Sequence, residues 1–141
     1  MMKVLQLGFL PSSTGVALCA LRLWLGLSML LLHGWGKLSG FSQMAAHFPD
    51  PLGIGSHASF ALTVLAEALC SALLVLGLFT RLAALTLASE LGVAFTLIHG
   101  HVLSGEHSGE LAFIYLAGFV ALFIGGGGCC SLDGRLGKKA A

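Results

Sequence analysis

The sequence predicts an all-α membrane protein, a four-transmembrane-helix bundle with both termini in the cytoplasm. Of 141 residues, 57% are hydrophobic and only 9% are charged, which lies far outside the range of soluble domains. Four apolar runs each approach the ~20 residues with which a helix crosses a hydrocarbon core. Lysine and arginine are concentrated on one side of these runs, which predicts the orientation.

The predicted spans cover about residues 14–33, 58–79, 82–99 and 109–124 of a single domain, 1–141. Pro11 and the group Ser12, Ser13, Thr14 supply a helix start, after a short lead-in without a convincing signal-peptide cleavage site. The short segment GLFTR at 77–81 leaves room only for an antiparallel return. Spans two and three are therefore predicted to be neighbours.

Basic residues favour one face of the membrane. Only Lys37 falls on the outer side, whereas Lys3, Arg81, Arg135, Lys138 and Lys139 share the side of the termini. All histidines then lie at or beyond the outer interface, namely His33, His47, His57, His99, His101 and His107. Their spacing is too weak a pattern to predict a metal site.

Three charged residues fall inside the spans. Arg22, Glu67 and Glu90 are predicted to lie about 12 to 18 Å from the inner interface, deep enough to meet one another. A lone ionised residue at such depth costs on the order of 3 kcal/mol or more, so pairing is expected. One arginine facing two glutamates leaves a surplus carboxyl group, whose protonated form is favoured by desolvation and repulsion. The alternative is that the charges only fix packing and topology.

The arginine helix also carries a histidine. Arg22, Gly26, Met29 and His33 share one stripe of a helix, and His33 ends it at the depth where a lipid-soluble headgroup would arrive. Lys37 follows, at a position more typical of an interfacial anchor. Span four contributes Tyr115 as its one internal polar side chain.

The loops and cysteines leave further alternatives open. Phe41, Met44, Ala45 and Phe48 have the spacing of an amphipathic helix, lying either in the outer interface or as a cap over the bundle. The cysteines are predicted to be free thiols, because two lie inside spans and two on the reducing side: Cys19, Cys70, Cys129 and Cys130.

Four segments in order resemble the DoxX family of small bacterial integral membrane proteins. They are LRLWLGLSMLLLHGWGKL (21–38), LAEALCSALLVLGLFTRLAAL (65–85), AFTLIHGHVLSGEHSGELAFIYL (94–116) and GGGGCCSLDGRL (125–136). The residues that match the family pattern are Arg22, His33, Gly34, Lys37, Glu67, Gly77, Arg81, His99, Glu110, Ser131 and Asp133. Glu90 and the Cys129, Cys130 pair depart from it.

The resemblance implies a bacterial inner-membrane protein associated with redox systems, as a quinone-reducing membrane subunit or as a partner of oxidative-stress and thiol enzymes. We expect a quinone as cofactor, a partner redox enzyme, contact with membrane lipid and a homo-oligomer as an option. The expected catalytic residues are Glu67, Glu90 and His33, and the expected quinone-binding residues are Arg22, His33, Lys37, Glu67, His99 and Tyr115. The sequence contains no flavin, haem or iron-sulfur motif and no nucleic-acid-binding pattern. The alternative is a non-enzymatic scaffold or a small-lipid-binding bundle.

Overall fold

A computed structural model describes residues 13–137, and this part of the chain is helical without any strand. Three of the helices are long, and we label them α1 (Thr14–Ser39), α3 (Ser56–Leu76) and α4 (Thr80–Ile98). The shorter helices are α2 (Phe41–Met44), α5 (Glu110–Gly125) and α6 (Leu132–Gly137). The predicted helix start is confirmed at Ser13, whose hydroxyl accepts a hydrogen bond from the Val16 amide.

Helices α1, α3 and α4 are long and apolar enough to cross a membrane. Helix α5 is apolar but has 16 residues, which corresponds to about 24 Å. These helix lengths and their apolar composition indicate a membrane protein. The count of four spans and the cytoplasmic location of both termini stay predictions. The lead-in before Ser13 and the basic residues Lys3, Lys138 and Lys139 lie outside the described residues.

The helices enclose a core and expose apolar side chains outward. Leu74, Leu87, Phe119 and Leu122 are fully buried where α3, α4 and α5 meet α1. Trp24 is 78% exposed on the outside of α1, together with several leucines. Large apolar side chains on the outer surface are suited to contact lipid rather than water.

Each long helix contains a π-helical segment. Those of α1 and α4 lie towards the end of the bundle that carries loops 40–55 and 99–109, which we call the loop end, and that of α3 lies near the middle of the helix. These segments are Leu30–Gly34 in α1, Leu65–Cys70 in α3 and Ala94–Ile98 in α4. Single π turns widen a helix locally and are frequent at functional sites. The first carries α1 past His33 to Ser39, whereas the sequence predicted that the span ends at His33.

Gly34 permits α1 and α3 to approach closely within these segments. A Cβ atom added at Gly34 would lie 2.6 Å from the Glu67 carbonyl oxygen and 2.9 Å from the Ala68 Cα. Both neighbours are backbone atoms of α3, so they cannot move aside as the end of a side chain could. This crossing sets the level at which Glu67 faces α1.

The first loop packs onto the bundle. Phe41 and Phe48 contact Phe60 of α3, with ring centroids 5.2 and 4.8 Å apart, and Ala45 beside them is buried. Of the two alternatives for this amphipathic segment, the structure therefore supports the cap over the bundle.

Replacing Gly34 by alanine should separate α1 from α3 and destabilise the protein by about 1–3 kcal/mol, the usual cost of overpacking. Gly36→Ala is the matched control, because nothing lies within 4 Å of a Cβ atom at Gly36 in the same helix. Unfolding of both variants in mild detergent by a denaturant series gives the comparison. Equal stability of the two variants would contradict a close crossing at Gly34.

Candidate functional site

Arg22 is 1% exposed and binds main-chain carbonyl groups. Its guanidinium donates to the Val75 oxygen at 2.8 Å and also to the Leu74 oxygen, both in the last turn of α3. It further donates to the carbonyl oxygens of Gly127 at 3.0 Å and Cys130 at 3.3 Å. A planar fork of five donors suits such convergent acceptors. Arg22 thus joins α1, the end of α3 and the segment that follows α5.

The expectation that Arg22 meets Glu67 and Glu90 was wrong. The carbonyl groups at a helix C-terminus carry partial negative charge and lack partners within the helix, so they attract a cation. In the described residues these carbonyls occupy the guanidinium. Arg22 therefore does not pair with the carboxyl groups of Glu67 in α3 and Glu90 in α4.

The end of the bundle that carries the turn 77–79 and the segment 126–131, which we call the turn end, is held by a second charged residue. Asp133 of α6 accepts hydrogen bonds from the Phe79 and Thr80 amides, each at 2.8 Å, and so caps the start of α4. Burial raises the pKa of Asp133, but the hydrogen bonds from Thr80 and Phe79 outweigh it and hold the pKa below its usual value. Gly77, at φ +71°, accepts from the Asp133 amide.

Glu67 forms an ion pair with Lys37. The Lys37 Nζ lies 2.5 Å from the Glu67 Oε1, and the carboxyl group is nearly enclosed, with a side chain 5% exposed against 24% for Lys37. Lys37 therefore points back into the bundle instead of outward to the headgroups. The second carboxylate oxygen, Oε2, is buried without a hydrogen-bond partner.

Glu90 lines a pocket between α3 and α4. The pocket has a volume of about 250 Å³ and lies under the first loop. The Glu90 Oε2 atom is buried without a hydrogen-bond partner, and the carboxyl group interacts electrostatically with Glu67 and Lys37. The rest of the lining is mainly apolar, with hydroxyl groups of four residues: Ser59, Thr63, Thr86 and Ser89. Glu90 is the ionisable residue in this lining.

Asp50 fixes the loop that covers the pocket. Its carboxylate accepts hydrogen bonds from the Ser59 hydroxyl at 2.6 Å and from the amides of Ile54 and Gly55. The hydrogen bond from Ser59, followed by that from Gly55, lowers the pKa of Asp50, so the carboxylate stays charged at neutral pH. The loop thereby brings Phe48, Pro51 and Leu52 over the pocket.

The remaining predicted site residues lie elsewhere. The His33 ring meets Tyr115 edge to face, with centroids 5.8 Å apart, so α1 and α5 bring these two together. The His99 Nδ1 atom lies 3.1 Å from the His107 carbonyl oxygen, a contact within the second loop. The pocket lining includes Glu90 but none of His33, Lys37, His99 and Tyr115, all of which belong to the described residues. Their roles in catalysis or quinone binding stay predictions.

Sequence reasoning missed three features of this site. Lys37 was interpreted chiefly as an interfacial anchor, although its spacing from His33 on α1 allows it to reach inward. Asp50 and Asp133 gave a partial signal, because aspartate favours positions where it accepts backbone hydrogen bonds at turns and helix starts. The partners of Asp133 lie more than fifty residues away and give no local signal, whereas those of Asp50 lie four to nine residues away.

A model of the DoxX family matches residues 17–100. A protein of Haemophilus influenzae described as uncharacterized is 31% identical over 119 residues, which are 79% of this chain and 84% of that protein. No solved structure is significantly similar to the chain.

Arg22→Lys should destabilise the protein by about 2–4 kcal/mol, because a lysine can keep only part of a carbonyl set whose individual bonds to a charged donor each contribute about 1.5–3 kcal/mol. Arg81→Lys is the control, since Arg81 is exposed and donates one hydrogen bond, to Ile124. We expect its effect to stay within about 0.5 kcal/mol. Denaturant unfolding in detergent measures both, and similar losses would argue against Arg22 as the central tie.

The Lys37 and Glu67 side chains should show strong coupling in a double-mutant cycle. Lys37→Met leaves the buried Glu67 carboxylate unpaired and should cost about 3–5 kcal/mol. Glu67→Leu should cost less, because the Lys37 side chain is 24% exposed and can reach solvent. The double variant removes both charges and should cost clearly less than the sum. Additive losses, measured by the same unfolding experiment, would show that the two groups do not form a pair.

Proposed function

The chain belongs to the DoxX family, and from this we propose that it is a multi-pass inner-membrane protein that binds a quinone as the partner of a redox enzyme. In this proposal α5 is the fourth span and both termini face the cytoplasm. The distribution of Lys and Arg residues supports this orientation, because most of them lie in the sequence on the side shared by the termini and the turn at 77–79.

The pocket at Glu90 is the observation that carries the proposal. Its volume of about 250 Å³ lies just below the ~300–1,000 Å³ of pockets that enclose whole drug-sized ligands. Such a space suits a ring-sized headgroup whose apolar tail stays in lipid. Exposed leucine and isoleucine side chains of α3 and α4, namely Leu62, Leu65 and Ile98, line it as well. An apolar tail could leave between them.

The polar groups in the pocket fit a quinone. A buried carboxyl oxygen without a partner is costly unless something binds it, and the Glu90 Oε2 is such an atom. When it carries a proton, it can donate a hydrogen bond to a ligand oxygen. The Thr63 hydroxyl group also lines the pocket and can donate to the same ligand, whereas that of Thr86 already donates to the Leu82 carbonyl oxygen at 3.0 Å. These residues would hold the headgroup.

A bound quinone supplies the capacity to accept two electrons and two protons. In this proposal the residues of the chain supply proton handling. Lys37 pairs with Glu67, so Glu90, which has no ion-pair partner within the described residues, is the group proposed to hold and release the proton. The electrons come from a partner enzyme or thiol donor, because the sequence contains no flavin, haem or iron-sulfur motif.

A second candidate function is a scaffold without catalytic activity. It is favoured by Arg22 and Lys37, whose charged groups both have partners in the described part of the chain and so explain helix packing by themselves. The two candidates differ in what they require of Glu90. A scaffold does not need an ionisable group in the pocket.

Binding of a short-chain quinone to the purified protein in lipid nanodiscs tests the proposal. Quinone should raise the unfolding temperature of the wild type by mass action. Glu90→Leu should weaken binding by roughly tenfold or more, which corresponds to about 1.4 kcal/mol, because leucine cannot donate a hydrogen bond to the ligand oxygen. Isothermal titration or quinone-dependent thermal shift gives the affinities.

The control variant is Glu106→Leu in the exposed second loop, which should bind quinone like the wild type. Absence of stabilisation in the wild type, or equal affinities of the Glu90 and Glu106 variants, would contradict the quinone proposal. Stable capture of a partner by a protein without bound quinone, unchanged by Glu90→Leu, would support the scaffold.

A further inference from the structure

Three cysteines from distant parts of the chain converge at the turn end of the bundle. Cys19 lies in the second turn of α1, and Cys129 and Cys130 lie between α5 and α6. Their Sγ atoms all lie within 4.8 Å of one another, and those of Cys129 and Cys130 are 3.6 Å apart. All three are free thiols. We call them the thiol triad.

The backbone of the triad is held against α1. The Cys129 amide donates to the Gly15 carbonyl oxygen at 3.1 Å. Gly128, at φ +73°, lies so close that an added Cβ atom would be 2.6 Å from the Cys19 nitrogen. The two segments therefore touch through their main chains, and this contact brings the sulfur atoms together.

Arg22 fixes the same region from inside the bundle. Its guanidinium donates to the Cys130 carbonyl oxygen at 3.3 Å and approaches the Cys19 Sγ at 3.7 Å. The triad is thus positioned by a residue that the fold requires for another reason.

We propose that the thiol triad is a binding site for a soft monovalent metal ion, copper(I), coordinated by the three sulfur atoms. Metal to thiolate bonds of about 2.3 Å place the sulfur atoms of a trigonal site about 4 Å apart. The observed separations, 3.6 Å for one pair and below 4.8 Å for all, need only small side-chain rotations to match.

The number and type of ligands select the ion. Thiolates prefer copper(I) and zinc among biological metals, and zinc in proteins takes four ligands. In the described part of the chain, this group consists of three cysteines without a histidine or carboxylate. A disulfide would use two of the sulfur atoms and would leave the third without a role. Three converging thiols favour the monovalent ion.

The site lies away from the Glu90 pocket and does not depend on the proposed quinone function. The triad surrounds the start of α1, whereas the pocket lies under the loop at the opposite end of α3 and α4. The two proposals are therefore independent, and failure of one does not contradict the other.

Anaerobic titration of the reduced full-length protein with copper(I), in detergent and against a chromogenic copper(I) chelator, tests the site. We expect one ion per chain, with X-ray absorption at the copper edge showing three sulfur neighbours at about 2.3 Å. Serine variants of Cys19, Cys129 and Cys130 should each lose this binding.

Cys70→Ser is the matched control, because Cys70 is the fourth free cysteine and is buried in the core away from the triad. It should bind copper(I) like the wild type. Unfolding curves check that the serine variants are folded, and Cys129→Ser is the most informative since that side chain is exposed. Retained binding in the triad variants, loss in Cys70→Ser, or tighter binding of zinc than of copper(I) would overturn the proposal. So would a disulfide between Cys129 and Cys130 in a protein that takes up no metal.

Discussion

The arrangement of the bundle depends on the contact between the Arg22 guanidinium and main-chain carbonyl groups. Carbonyls at the end of a membrane helix, and those of a glycine-rich segment, cannot rely on water and need partners within the protein. Arg22 donates hydrogen bonds to the carbonyl groups of Leu74 and Val75 of α3 and of Gly127 and Cys130 after α5. One side chain thereby closes α3, fixes the segment after α5 and ties both to α1. The turn 77–79 and the cap from Asp133 can form because these neighbours are held in place.

The carbonyl partners of Arg22 determine which charged groups remain to pair with one another elsewhere in the interior. Carbonyl dipoles solvate the guanidinium without cancelling its charge, so Arg22 is not a counter-charge for the glutamates of α3 and α4. Lys37 pairs with Glu67, whereas Glu90 has no ion-pair partner within the described residues and its Oε2 atom is buried without a hydrogen bond. The structural role of the arginine therefore leaves an unpaired carboxyl group in the lining of the pocket.

Sequence reasoning predicted the helices well and their polar contacts poorly. Composition and hydropathy are summed over many residues, so the apolar helices, the turn at 77–79 and the membrane class could be predicted. The partner of Arg22 could not, since every residue carries a carbonyl group and no sequence pattern marks those that accept. The close crossing at Gly34 lies where the π-helical segments of α1 and α3 meet, and the sequence pattern did not predict such segments. Lys37 lies four residues after His33 and reaches Glu67, but its position is equally typical of an interfacial anchor.

The thiol triad lies on a framework that other contacts hold in place. Arg22 and Asp133 secure the turn end through hydrogen bonds to backbone groups. The segment after α5 is already pressed against α1 by Gly128 and by the hydrogen bond to Gly15. Placing thiols at two neighbouring positions of this segment, opposite Cys19, is enough to bring three sulfur atoms within 4.8 Å without altering a helix. Functional sites are commonly added to folds in this way, and the rigidity contributed by Arg22 is what would turn three cysteines into one preorganised ligand set.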